Sequence, residues 1–352
     1  MIHSSVQSAE QLLPAIAYGD SAGLPYEAKS AVPVGSVEGL QPVDNPYLGQ
    51  HPAGTWSDDT HLSIAVTKSL IEAGGFDLEN QAKWHMKALE HVQGATNEPD
   101  LIPPVVTDSQ HNGWGKSTTE SVQRLVHGVH PTESGAANGA GNGVLMKLAP
   151  LLLWQTIRHT PHPVAREQLV QLTCMTHAAG EAVVASLVHY EYVRKLIKRS
   201  YQPDMSLVHA AVSARRFEKR LTTNDANYDR LSRLAGLALR GTKGELSLNR
   251  EAIIAANPKG GFYAPETLAM AYGAMVLEAS PPAAIYRAVE LGGDADSIGS
   301  IVATLALIKN PTAPQPHDVS KLFAHDRLMR LSAEFAAAAA AGMPYLQGRT
   351  GK

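Results

Sequence analysis

Two acidic clusters far apart in the chain constrain its fold more than any other feature. Residues 54–60 read Gly-Thr-Trp-Ser-Asp-Asp-Thr, and residues 292–297 read Gly-Gly-Asp-Ala-Asp-Ser. Each sets two carboxylates and a hydroxyl beside glycines that let backbone approach a ligand, just ahead of an apolar run of helical period. A hydroxyl and acids before a helix can be an ordinary N-cap, since unsatisfied N–H groups and the helix dipole favour negative charge there. Two such clusters carry more acid than helix starts require. Asp58, Asp59, Asp294 and Asp296 can instead share one metal site. Hard divalent cations such as Mg²⁺ or Mn²⁺ take oxygen ligands, and two ions roughly 4 Å apart need bridging carboxylates. The fold must then bring these two stretches to one place.

Most of the chain carries a helical period. Residues 60–72 put Leu62, Ala65, Val66, Ser69 and Leu70 on one face, and Gly74-Gly75 supplies a left-handed stop. Residues 165–197 read as long helical stretches, with His177 in mid-helix. Residues 265–278 open on Pro265-Glu266, a favoured first turn, and a further run goes from Ser280 to Leu291. The first acidic cluster therefore opens a helix, and the second lies at a helix-to-helix junction. Alternating β-branched stretches are scarce and aromatics are only 6% of residues, so a mostly α-helical protein is predicted. Loops are expected at 31–53, 94–116 and 131–143. The basic residues of 214–233 lie among acids and read as a solvated helix face. No internal repeat, heptad array or domain linker is evident.

At 352 residues the chain has ample capacity for a core. Thirty basic against 33 acidic residues, a net charge of −3, leave no electrostatic footprint of a nucleic-acid or polyanion binder. The expected substrate is small, or a modest group on something larger. The single cysteine, Cys174, excludes an internal disulfide and reads as a buried spectator. The N-terminal residues lack a basic n-region and an apolar core, and no 18-residue apolar run occurs, so a soluble cytoplasmic protein without membrane contact is expected.

Three further stretches carry chemistry. Residues 18–27 place Asp20 and Glu27 around a Gly/Pro turn, where Glu27 can poise a carboxylate over a site or sit on plain surface. Residues 135–150 form a glycine-rich loop, including Gly141, Asn142 and Gly143, that runs into an apolar segment and can aim N–H groups at phosphates. It has no Gly-Lys-Ser/Thr and is not a P-loop. His177, in Thr-His-Ala-Ala-Gly-Glu, is either a core histidine or a ligand-facing one.

These motifs, in this order, resemble the ADP-ribosylglycohydrolase family. The match lies in Gly19, Asp20, Gly23, Pro25 and Glu27; in Trp56 to Thr60; in Gly141 to Met146; in Thr176-His177; and in Gly292 to Ser297, spanning roughly residues 10–308. The resemblance implies a single all-α domain over residues 1–352, a compact orthogonal helical bundle with a candidate insertion at 197–260. It implies two Mg²⁺ or Mn²⁺ ions held by Ser57, Asp58, Asp59, Asp294, Asp296 and Ser297. Gly141, Asn142, Gly143, His177 and Asp20 would contact an ADP-ribose group, and Glu27 would sit on a mobile loop near the scissile bond.

The implied reaction is hydrolysis between C1″ of the distal ribose and an ADP-ribosylated protein or small-molecule acceptor, with Glu27, Asp58 or Asp59 as base. An arginine-type N-glycosidic linkage is favoured, and a nucleic-acid acceptor stays open, as does the oligomeric state. The alternatives are a two-metal phosphohydrolase or ribosyl hydrolase on a nucleotide-derived molecule, and a non-catalytic ADP-ribose binder. Two departures from the family pattern stand out. Ser134, Asn138 and Ala140 occupy the loop where better-known members carry an aromatic against adenine, and Ile301–Ile308 is bulkier than the usual Gly/Ala-rich helix.

Overall fold

A computed structural model describes residues 2–45, 49–94, 114–198, 203–241, 248–278 and 280–341. The architecture is all-α: the strands among the described residues are the three-residue pair Val43–Asn45 and Gly49–His51, joined antiparallel with Asp44 opposite Gln50. In chain order the first helices are α1 (Ile2–Glu10), α2 (Leu12–Gly23), α3 (Asp58–Ala73), α4 (Leu78–Val92) and α5 (Lys116–Val126). Next come α6 (Ala149–Ile157), α7 (His162–Cys174), α8 (Gly180–Ile197), α9 (Pro203–Leu221) and α10 (Ala226–Gly241). The last are α11 (Arg250–Ala256), α12 (Ala264–Leu277), α13 (Ala283–Val289), α14 (Ala295–Lys309) and α15 (His325–Ala340).

Two helices form the axis of the bundle. Every residue of α2 and every residue of α14 up to Ile308 is buried, which marks helices surrounded by protein on all sides. They meet backbone to backbone: a Cβ on Gly19 would stand 2.2 Å from the Gly299 carbonyl oxygen, so no larger residue fits. The bulky stretch Ile301–Ile308 lies beyond this contact, deeper in the core. Around the axis pack α3, α8, α12, α13 and α15.

The helix expected at 60–72 forms as α3 and ends as its sequence requires. Gly74 takes φ +64°, and the Gly75 N–H returns to the Leu70 carbonyl at 3.1 Å. One expectation fails locally: the helical stretch over 165–197 is broken at residues 175–179, so His177 lies in the α7–α8 connection. Tertiary pairing takes the backbone there, because Ala136 N–H donates to Thr176 O and Ala178 N–H to Ala136 O. Nor is 214–233 only a solvated face. Arg215 pairs with Asp225, Arg216 reaches Glu191 at 3.6 Å, and Arg230 reaches the fully buried Glu266 at 3.1 Å. Of the loop expected at 94–116, residues 95–113 fall outside the described set, as do 199–202 and 242–247 within 197–260. Within that stretch α9 and α10 pack on each other and against α8 and α12. Among the described residues, no helix is long and apolar enough to cross a membrane.

Candidate active site

The two acidic clusters meet where the N-termini of α3 and α14 converge. Asp59 is the joint: its Oδ1 accepts from Ser300 at 2.7 Å and its Oδ2 from Ser297 at 3.2 Å. Asp20 holds this junction from beneath. Its carboxylate, wholly buried on α2, accepts from the Ser57 N–H at 3.0 Å and from the Thr60 N–H and Oγ1 at 3.1 and 2.6 Å. It thereby satisfies donors that the start of α3 leaves open. Asp20, expected among the substrate contacts, is thus placed behind the aspartates and off the cleft wall. Ser57, expected as a metal ligand, is the N-cap of α3 and accepts from the Asp59 N–H at 3.4 Å, also off the wall.

Three loops close the other side. The Asp294 N–H donates to Gly260 O at 2.7 Å, Ala264 N–H to Ala140 O at 2.9 Å, and Gly293 N–H to Lys29 O at 2.9 Å. Gly293 sits at φ +71°, and a Cβ there would stand 2.0 Å from Gly260 O. Only glycine allows this approach. Glu266 braces the 259–263 loop by accepting from the Lys259 N–H at 2.9 Å while paired with Arg230. The Asn142 amide bridges the loops, donating to Asp294 Oδ2 at 2.8 Å and to Gly261 O at 3.1 Å.

What remains between them is a cleft of about 320 Å³. Glu27, Asp58, Asp59, Asp294, Asp296 and Ser297 line it on one side, and Gly141, Asn142, Gly143 and His177 on the other. Glu27 is half-buried just after a 3-10 turn at Leu24–Tyr26, whereas the aspartates are buried. Five wall residues were missed from sequence, Phe262 and the run from Gly115 to Thr118. Phe262 stands 43% exposed on the braced loop, and Thr118 comes from α5. No local signal marks either one; the aromatic sought on the glycine-rich loop arrives from a different loop. Ser134 is fully buried, its hydroxyl donating to Met175 O at 2.8 Å.

Below His177 runs a buried polar chain. Lys147, fully buried, contacts His85 Nε2 at 3.2 Å and donates to Thr176 Oγ1 at 2.9 Å; Thr176 Oγ1 lies 3.0 Å from His177 Nδ1. Burial pushes Lys147 down to about 7, and burial together with Lys147 holds His177 down at about 3.

The carboxylates are strained electrostatically. Burial first, then repulsion from Asp294, Asp58 and Asp20, pushes Glu27 up to about 8. Burial, then Asp20 and Asp294, pushes Asp58 up to about 8. Asp59 and Asp296 are raised well above the usual carboxylate range, by burial and then by their acidic neighbours. Burial also raises Asp294, against the hydrogen bonds it accepts. Lys116, on the wall, points to solvent and lies 3.8 Å from Glu120. Among the described residues no three His, Cys, Asp or Glu side chains are already drawn to metal-holding distances. Asp59 is turned instead toward Ser297 and Ser300, and Asp294 toward Asn142. The donor set nevertheless fits a hard divalent cation: all ligating atoms are oxygens, the one ammonium on the wall, Lys116, faces solvent, and Asp296 Oδ1 is buried without a hydrogen-bond partner.

Comparison with known proteins agrees with this geometry. The chain is 29% identical over 144 residues to an uncharacterized protein of Archaeoglobus fulgidus, an overlap of 39% of each chain. It is 26% identical over 131 residues to the ADP-ribosylarginine hydrolase Tri1 of Pseudomonas putida, covering 37% of this chain and 32% of that one. The matches thus span well under half of these relatives. A solved ADP-ribosylglycohydrolase-related protein complex shares the fold, with TM-score 0.70 and 23% identity over 96% of this chain and 99% of that one. Residues 7–308 match the ADP-ribosylglycohydrolase family as a whole, and the chain belongs to that family.

Proposed function

We propose that this protein is a hydrolase that removes ADP-ribose from a modified acceptor, by cleaving the bond between C1″ of the distal ribose and an arginine-type nitrogen. The observation that carries the reading is the convergence of five carboxylates, Glu27, Asp58, Asp59, Asp294 and Asp296, on one cleft opposite the backbone of Gly141–Gly143. The similarity to an ADP-ribosylarginine hydrolase supports the acceptor.

The family is generally metal-dependent. Asp58, Asp59, Asp294 and Asp296, with the hydroxyl of Ser297, would hold two Mg²⁺ or Mn²⁺ ions, which would supply Lewis acidity toward the ribose hydroxyls and water. The chain's own groups do the rest. The Gly141 and Gly143 backbone and His177 Nε2 form a wall of donors suited to the pyrophosphate. Phe262 offers a ring face at the mouth, suited to adenine. Of the three candidate bases, Glu27 alone is half-exposed, at the rim where the acceptor leaves. It is placed to exchange the proton that the departing nitrogen requires, while buried Asp58 and Asp59 orient the attacking water.

The test is release of free ADP-ribose from arginine-, serine- and nucleic-acid-linked substrates, with Mg²⁺, with Mn²⁺ and with EDTA. Metal-dependent release from the arginine linkage, lost in Asp58→Ala, is the expected result. Release of inorganic phosphate in its place would overturn it.

A further inference from the structure

A second cavity, of about 330 Å³, lies outside the carboxylate cleft and shares no residue with it. It opens between α1, α6, the α6–α7 turn and the C-terminal half of α8. Leu152, Val193 and Ile197 give it an apolar floor; Tyr190, Arg194 and Gln155 are its main polar groups, and no carboxylate lines it. Its size and composition match small-molecule sites, which are mostly apolar with a few convergent polar groups.

The hydrogen bonds fix which donors remain unspent. Arg194 Nη1 lies 2.6 Å from His162 Nε2, and a guanidinium has only donors, so Nε2 accepts. A neutral imidazole then carries its proton on Nδ1, which sits 2.6 Å from the Tyr190 hydroxyl and donates to it. Burial, then Arg194, lowers the His162 pKa, consistent with the neutral ring. Among the described residues His162 is the one hydrogen-bond partner of the Tyr190 hydroxyl, so its own proton is left without an acceptor. Arg194 spends one Nη1 proton on His162 and one Nη2 proton on Glu191 at 3.3 Å, so each of these two nitrogens keeps a second proton. Unspent donors of Tyr190 and Arg194 at an apolar cavity call for an acceptor. Charge points the same way. Arg166, Arg194 and Arg216 surround the single carboxylate Glu191, which leaves the neighbourhood positive. At the rim His159, an exposed lining residue, holds φ +53° at the end of α6, where a helix commonly places glycine.

We infer that this cavity is a binding site for a small carboxylate with an apolar body, its oxygens accepting from Tyr190 and Arg194 and its chain lying on Leu152, Val193 and Ile197. At ~30 Å³ per water-sized group the space holds on the order of ten non-hydrogen atoms, the size of a medium-chain acid.

The test titrates the full-length protein with octanoate and with 1-octanol by calorimetry, with and without saturating ADP-ribose. Octanoate is expected to bind at least tenfold more tightly than octanol, and ADP-ribose to leave its affinity unchanged. Tyr190→Phe, which removes one hydroxyl and keeps the ring, is expected to weaken octanoate at least fivefold with octanol unaffected. Thr156→Trp, which fills the cavity, is expected to abolish both. Failure of the native protein to bind octanoate, equal binding of acid and alcohol, an unchanged Tyr190→Phe variant, or displacement by ADP-ribose would each overturn the assignment. If the tryptophan variant does not fold, the acid–alcohol ratio and Tyr190→Phe still decide it.

Discussion

Lys147 Nζ donates to Thr176 Oγ1 across 2.9 Å inside the protein, and this bond settles which nitrogen of His177 carries a proton. As an ammonium, the form it holds below about pH 7, Lys147 only donates, so the Thr176 oxygen accepts and its own hydroxyl proton is free to go to His177 Nδ1 at 3.0 Å. Nε2–H is thereby presented to the cleft as a donor. Thr176→Val, similar in shape but without the hydroxyl, should release this constraint. The expected outcome is a KM for the ADP-ribosylated substrate raised roughly five- to tenfold, about one hydrogen bond, with kcat changed less than threefold. An unchanged KM would remove His177 from substrate binding.

The carboxylates of the cleft separate into groups by position. Asp58→Ala and Asp296→Ala should each lower kcat at least a thousandfold while leaving the helical circular dichroism intact, because they remove buried oxygens from the shared cluster. Glu27→Gln should lower kcat substantially and leave metal affinity, measured by calorimetry, within about threefold. Asp20→Asn should act differently. It loosens the start of α3, and the loss should appear first as a lower Tm, by the equivalent of ~1–2 kcal/mol.

Crowded carboxylates set activity against stability. In EDTA at pH 9, above the pKa of about 8 to which Asp58 is pushed, Asp58→Asn removes one of the mutually repelling buried charges and should raise Tm by ~2–4 °C, while abolishing turnover when metal is restored. A variant less stable than the native protein under EDTA would mean that these acids are neutralised from within the fold.

Lys147 gives the stability a pH signature. Its folded pKa, about 7, lies below its ordinary value of 10.5, so between the two the unfolded chain binds more protons than the native one. Stability from this group therefore rises as pH goes up through 7 toward 10, and below 7 the full cost of burying the charge is felt. Unfolding free energies from urea titration of the native protein minus those of Lys147→Met should increase from pH 6.5 to 9, by up to ~1 kcal/mol per pH unit. A flat difference would show that the lysine stays charged throughout.

Phe262 tests the mouth of the cleft. Phe262→Ala should raise KM about three- to tenfold, and Phe262→Tyr should leave it within twofold, since both rings present the same face. Equal effects of the two changes would point to loop disruption instead.

The sequence by itself determined the helical class, the limits of α3 at its acidic start and its Gly74-Gly75 stop, and the identity of the motif residues. These are local matters: period, capping and left-handed glycine act over a few positions, so they are legible without a fold. Only the tertiary structure decided how those motifs divide. Asp20 reads like a cleft acid, yet it turns away to hold the N–H groups of Ser57 and Thr60, since the α2–α3 crossing leaves it facing that helix start. His177 reads as mid-helix, yet pairing with Ala136 breaks the helix and frees the ring for the site. Phe262 carries no motif at all, and reaches the cleft because Glu266 and Arg230 brace its loop. Each of these outcomes depends on partners tens or hundreds of residues away, and long-range contacts of that kind leave no mark on local periodicity.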